Sequence, residues 1–168
     1  FAETGLEAGT GARLRRIRDY VDTPHFHMTY GDGVSAVDIE NLARVHLEAG
    51  RVGTVTGVHP TSKFGEMRVD GDVVAEFNEK PTQVTGWVSG GYFVFDRSFL
   101  DDYLDDDEDL FLEAAPLQKL ARDQQLTVNK HEGFWAAMDT YKDYQALNEM
   151  WLRGDAPWKL WKDDTRTW

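Results

Sequence analysis

The 168-residue chain contains no cysteine, which removes disulfides, thiolate metal sites and cysteine nucleophiles together. It also lacks any apolar run near the roughly 20 residues that span a bilayer, and no basic-then-apolar leader stands at Phe1. These absences point to a soluble protein without a membrane partner, with the cytoplasm as the default compartment. Positive charge is scarce: 18 Lys and Arg against 30 Asp and Glu give a net charge of −12, so the surface repels phosphate backbones and nucleic acid is not an expected partner. No repeat or low-complexity linker interrupts residues 1–168, which read as a single α/β domain ending in a Trp-rich tail over 156–168. Apolar residues make up 41% of this length, enough for a sizeable core. A start at Phe1 rather than at methionine suggests a piece of something longer.

Patterning supplies the elements. Thr10 is positioned to cap a helix running to about Val21, with Leu14, Ile17 and Val21 on one face. Phe26, Met28 and Tyr30 alternate with His25, His27 and Thr29 as a strand does, and the run stops at Gly31-Asp32-Gly33. After Asp38, helical spacing of Ile39, Leu42, Val45 and His46 leads to Gly50 at a C-cap position, and the β-branched stretch Val52 to Val58 follows. Strand, loop, helix and strand in this order mark an α/β sheet, whose ligands lie beyond the carboxyl ends of its strands. Asp32 stands at such an end. Asp70-Gly71 predicts a hairpin turn, Trp87 to Phe95 a strand around Gly90-Gly91, Leu110 to Ala121 and Tyr141 to Leu152 helices, and Leu126 to Lys130 a strand between them.

Most candidate constellations reduce to ordinary structure. The acidic run Asp101 to Asp109 has no glycine for a calcium loop and reads as a solvated loop and helix start. His25 and His27 share a strand face, yet no third histidine or paired carboxylate follows at ligand spacing. No serine sits in a nucleophile elbow. Gly9-Thr10-Gly11-Ala12-Arg13-Leu14 has only Phe1 to Ala8 before it, so it reads as a helix start before a phosphate loop. The informative pieces are Tyr30-Gly31-Asp32-Gly33, Glu79-Lys80-Pro81, Gly90-Gly91 and Met138-Asp139-Thr140. An aspartate between glycines leaves room for a ligand, and alone it is a turn. Glu79-Lys80 offers a hydroxyl acceptor and a point charge, or an exposed strand-end pair. Gly90-Gly91 implies a bulge, a close backbone approach or packing in equal measure. Phe134 to Asp139 reads most simply as core followed by an N-cap aspartate.

Taken in order, these pieces resemble the sugar-phosphate nucleotidylyltransferases. The likeness runs through Thr10 to Leu14, Phe26 to Val37, Lys63-Phe64-Gly65, Phe77 to Pro81, Trp87 to Val94, Gly133-Phe134-Trp135 with Met138-Asp139-Thr140, and Ala156-Pro157-Trp158-Lys159. The terminal Ala-Pro-Trp-Lys segment points to the cytidylyl branch.

The resemblance implies a Rossmann-like nucleotidyltransferase fold with a mixed sheet, and transfer from CTP to glucose 1-phosphate with Mg²⁺ as cofactor. It implies that Asp32 and Asp139 hold the metal, that Lys80 grips the sugar phosphate and that Glu79 takes the sugar hydroxyls. Gly90 and Gly91 let the sugar approach the backbone, and Thr10, Gly11 and Arg13 lie toward the nucleotide. Tyr30, Gly31, Gly33 and Trp135 complete the substrate-binding set, and a homo-oligomer is implied. The sequence departs from the family at Ser89, where asparagine is usual, and at Ala136-Ala137, in place of Gln-Pro. It also lacks the opening strand and glycine-rich triphosphate loop, so it reads as the second half of such an enzyme, inactive by itself. UTP or dTTP in place of CTP, and a non-catalytic sugar-phosphate-binding or assembly remnant, are the competing readings.

Overall fold

Phe93 and Phe95, two residues apart on one strand, stack at 5.4 Å between ring centroids, and Phe95 stacks on Phe99 at 4.1 Å. All three rings are fully buried, together with Leu100, Leu112 and Leu120. Burying each such side chain contributes about 1.5–3 kcal/mol, so this cluster forms a substantial core. The strand that carries it buries Val94 as well, so both of its faces are covered, as expected of an interior strand.

The computed structural model describes residues 1–60, 66–78 and 86–161. Its elements in chain order are α1 (Thr10–Arg16), a 3₁₀ turn (Arg18–Tyr20), β1 (His25–Thr29), β2 (Gly33–Ser35), α2 (Ile39–Ala49), β3 (Gly53–Val58), β4 (Glu66–Asp70), β5 (Val73–Asn78), β6 (Val88–Asp96), α3 (Phe99–Asp102), α4 (Ala115–Arg122), β7 (Leu126–Lys130), β8 (Trp135–Ala137) and α5 (Tyr141–Arg153). Contacts divide the chain into two units, one of Phe1–Tyr30, Asp38–Thr56 and Gly91–Asn129, the other of Gly31–Val37, Gly57–Gly90 and Lys130–Trp168.

The first unit holds the aromatic core and a sheet of order β1-β6-β3-β7, in which β1 and β6 pair antiparallel with Phe26 opposite Phe95 and Thr29 opposite Tyr92. Helix α2 starts and stops where its sequence says: the Asp38 carboxylate accepts from the Asn41 N–H, and Gly50 takes the left-handed conformation at φ 58°. Helix α1 is shorter than its periodicity suggests. Gly9 is its N-cap, Thr10 is already helical, and the chain tightens into the 3₁₀ turn beyond Ile17. The Thr10 hydroxyl is used elsewhere: it accepts from the Leu112 N–H at 2.9 Å and donates to Glu113 at 3.3 Å. Helix α4 begins at Ala115 rather than near Leu110, because Pro116 belongs in a first turn and the Leu110 carbonyl is taken by the N–H groups of Gly11 and Ala12.

The second unit contains two small antiparallel pairs, β2 with β8 and β4 with β5, and helix α5. The hairpin predicted at Asp70-Gly71 is present but turns one residue later, through Gly71-Asp72: Asp70 still pairs with Val73, and Gly71 supplies the positive φ, 57°, that the turn needs. Asp139 does not cap α5. Thr140 does: its hydroxyl accepts from the Asp143 N–H while the Asp143 carboxylate accepts from the Thr140 N–H, a reciprocal box that leaves Asp139 just outside the helix.

Candidate active site

Strands β2 and β8 are three residues each, with Gly33 opposite Ala137, Val34 opposite Ala136 and Ser35 opposite Trp135. The ladder extends one step further, because the Met138 N–H donates to the Asp32 carbonyl at 2.8 Å. Asp139 follows Met138 directly, so trans-peptide and cross-strand spacings together put the Asp32 and Asp139 Cα atoms within about 10 Å. Residues 107 positions apart in the sequence are thus neighbours at one end of a ladder. Both carboxylates are exposed, and neither forms an ion pair among the described residues.

The frame around this pair is built from hydrogen bonds. Trp135 donates its indole N–H to the buried Gly90 carbonyl at 2.8 Å. Ser35 donates to the Phe134 carbonyl at 3.0 Å and accepts from the Val37 N–H at 3.1 Å, fixing the far end of β2. A Cβ added to Gly31 would meet nothing within 4 Å, and one added to Gly33 would only touch Trp135 and Gly90. Open space beside Asp32 is what a ligand needs.

In the first unit, Thr10, Arg13 and Tyr30 line one cavity of about 250 Å³ with Thr4, Leu14 and Met28 among its other walls. The Tyr30 hydroxyl is buried with no hydrogen-bond partner among the described residues. Such an orphan costs about 1–3 kcal/mol unless something supplies its partner. The Arg13 guanidinium is committed to its own chain, donating to the Ala8 and Leu6 carbonyls and to the Thr4 hydroxyl. Gly11 is a packing glycine: a Cβ there would lie 2.9 Å from Leu110 Cγ. Gly91, at φ 77°, accepts from the Tyr30 N–H at 3.2 Å, and a Cβ there would sit 3.0 Å from the Tyr30 ring. At Gly91, tight packing against the Tyr30 side chain is the alternative observed. Glu79 and Lys80 lie outside the described residues, as do Lys63-Phe64-Gly65 and Pro81.

One polar group escaped the sequence reading. His46 follows the apolar spacing of α2 and is 1% exposed, yet its ring hydrogen-bonds at both nitrogens. Burial holds its pKa below the ordinary 6.5, against the opposing pull of Asp96. A histidine at a helical core position was the available signal.

Residues 4–154 match the nucleotidyl transferase family. The chain belongs to that family. It is 38% identical over 161 residues to a probable glucose-1-phosphate cytidylyltransferase of Bacillus subtilis and 38% identical over 163 residues to the glucose-1-phosphate cytidylyltransferase of Salmonella typhi. Each alignment covers 96% of this chain and 63% of the relative, so the chain spans less than two thirds of their length. Among solved structures, HddC from Yersinia pseudotuberculosis is similar with a TM-score of 0.64 at 20% identity, covering 88% of this chain and 64% of that one. A putative glucose-1-phosphate thymidylyltransferase from Bacillus anthracis is similar with a TM-score of 0.65 at 17% identity, covering 96% and 65%. These likenesses bear out the nucleotidyltransferase fold and its mixed α/β architecture. Among the described residues, the chain has no helix long and apolar enough to cross a membrane.

Proposed function

We propose that the chain is part of an enzyme that transfers a cytidylyl group from CTP to glucose 1-phosphate, releasing pyrophosphate and forming CDP-glucose. The carrying observation is the juxtaposition of Asp32 and Asp139 at the end of the β2–β8 ladder. Family membership supports nucleotidyl transfer, and the 38% identity to cytidylyltransferases, against 26% to a glucose-1-phosphate adenylyltransferase of Halalkalibacterium halodurans, favours CTP over the other nucleotides.

Two exposed carboxylates, hard oxygen donors with no cation paired to them among the described residues, suit Mg²⁺. When bound there, Mg²⁺ would neutralise phosphate charge and align the attacking and leaving oxygens. The remaining work belongs to the chain. Asp32 and Asp139 bind, Gly31 and Gly33 keep the space beside them clear, and Trp135 holds the Gly90 backbone in place for the sugar. Lys80 takes the sugar phosphate and Glu79 the sugar hydroxyls, by resemblance to the family. Thr10, Gly11 and Tyr30 belong to the nucleotide side, with Arg13 acting indirectly by holding the Thr4–Ala8 segment. An oxygen of the sugar phosphate forms the new bond to the α-phosphorus as the α–β phosphoanhydride bond breaks. Such chemistry draws on the cytoplasmic CTP pool, and the assembly is a homo-oligomer.

The test is pyrophosphate release from CTP, UTP, dTTP and ATP with glucose 1-phosphate and Mg²⁺, by the protein at the full length its relatives have. CTP is expected to lead the panel. A clear preference for another nucleotide, or no release with any, contradicts the reading.

A further inference from the structure

His25 and Asp96 stand opposite each other in the β1–β6 ladder, and His46 reaches them from the last turn of α2. Three lone-pair-bearing atoms converge: His25 Nδ1 is 2.8 Å from Asp96 Oδ1, His46 Nε2 is 3.0 Å from the same oxygen, and the two nitrogens are 3.3 Å apart. The rings meet edge to face, 82° between planes, so they are not stacked on each other. We infer that His25, His46 and Asp96 form a binding site for a borderline transition-metal ion of the Zn²⁺ or Co²⁺ type.

The geometry fits such an ion closely. The corners of a tetrahedral zinc site with bonds of about 2.0–2.1 Å are about 3.3 Å apart. An ion at that bond length from all three atoms of the observed triangle lies about 1 Å out of their plane. No ligand atom needs to move by more than a few tenths of an ångström. The donor set is two imidazoles and one carboxylate, the mixture that suits Zn²⁺ or Co²⁺ and not Mg²⁺, which asks for oxygen throughout.

Supporting groups are in place. The Thr54 hydroxyl, itself fully buried, lies 3.0 Å from His46 Nδ1 and accepts from it when that nitrogen carries the ring proton. This is the tautomer that frees Nε2 for a metal, and a hydrogen bond at the other nitrogen is the usual support of a ligating histidine. The side chains of His25 and Asp96 are 40% and 35% exposed, so the site has an entry path and room for a fourth, solvent ligand. His46, at 1% exposure, closes its other side. The ion would pin β1, α2 and β6 together within the first unit, a structural clamp chemically separate from the all-oxygen pair Asp32 and Asp139.

Co²⁺ titration of the metal-stripped chain tests this, read by visible d–d absorption of a four-coordinate centre and by thermal melting. We expect one tight equivalent with strong visible bands and a melting temperature raised by several degrees. His25→Ala removes an exposed strand side chain and leaves His46 its bonds to Thr54 and Asp96, so it is expected to stay folded while losing the bands. Asp32→Asn with Asp139→Asn is expected to keep them. Weak, spectrally octahedral binding in the unaltered chain, equal binding by His25→Ala, or loss of the bands in the Asp32 and Asp139 double variant overturns the site.

Discussion

The Met138 N–H donates to the Asp32 carbonyl at 2.8 Å, and this bond carries the ladder to the point where Asp32 and Asp139 leave it. Met138→Pro removes the donor, whereas Met138→Ala keeps it and trims a side chain that is 42% exposed. We expect Met138→Pro to cost about 1–3 kcal/mol in thermal or denaturant unfolding and to depress pyrophosphate release far more than that loss explains. Met138→Ala should stay close to the unaltered protein in both measurements.

Glycines next to the ladder and glycines at α1 answer to different constraints. A Cβ on Gly9 would lie 2.4 Å from the Leu110 carbonyl oxygen, while one on Gly31 would meet open space. Gly9→Ala should therefore destabilise by about 1–3 kcal/mol or more, and Gly31→Ala by no more than about 0.5 kcal/mol. If Gly31 clears space for substrate, its alanine variant raises the KM for glucose 1-phosphate while the melting temperature holds. Melting curves and steady-state kinetics on the two variants separate the cases.

Much of this fold could be read along the chain because its cues are local. Asp38 and Gly50 bracket α2, Gly71 marks the β4–β5 turn to within one residue, and alternation at Phe26 and Met28 marks β1. The misreadings are long-range. Strands β2 and β8 are too short for a period to show, and they exist because Val34 and Ala136 find each other across the chain. Thr10 looks like a cap until Leu112 arrives to use its hydroxyl. The partners of His25 are invisible at any local spacing, since His46 and Asp96 reach it only through the α2 and β6 packing. Asp32 and Asp139 were paired through family resemblance, because no spacing rule joins residues that far apart.

Lys80 supplies a sharper kinetic contrast. As a point charge on the sugar phosphate, its loss in Lys80→Ala should raise the KM for glucose 1-phosphate much more than that for CTP. Equal effects on both substrates would assign the lysine a structural part instead.

Self-association should centre on the end of α5. Leu152 and Trp161 are 83% and 57% exposed, and Trp151 and Trp161 face each other at 6.3 Å, whereas Trp158 is occupied by stacking on Phe134. Exposed tryptophans of this kind anchor interfaces, and the −12 charge opposing association is screened as the Debye length falls to about 3 Å at 1 M salt. Light scattering is expected to give a higher molar mass at high salt, reduced by Trp161→Ser. A monomer under every condition contradicts this.

The proposal that Asp32 and Asp139 share one metal ion is tested most directly by a double-mutant cycle on pyrophosphate release from CTP and glucose 1-phosphate by the protein at the full length of its relatives, using Asp32→Asn, Asp139→Asn and both together. If the two carboxylates hold one ion, each single variant loses about 10²-fold or more in kcat/KM and the double variant loses scarcely more than either, as groups acting as a unit do. Losses that multiply in the double variant, or either single variant retaining full activity, would contradict a shared site.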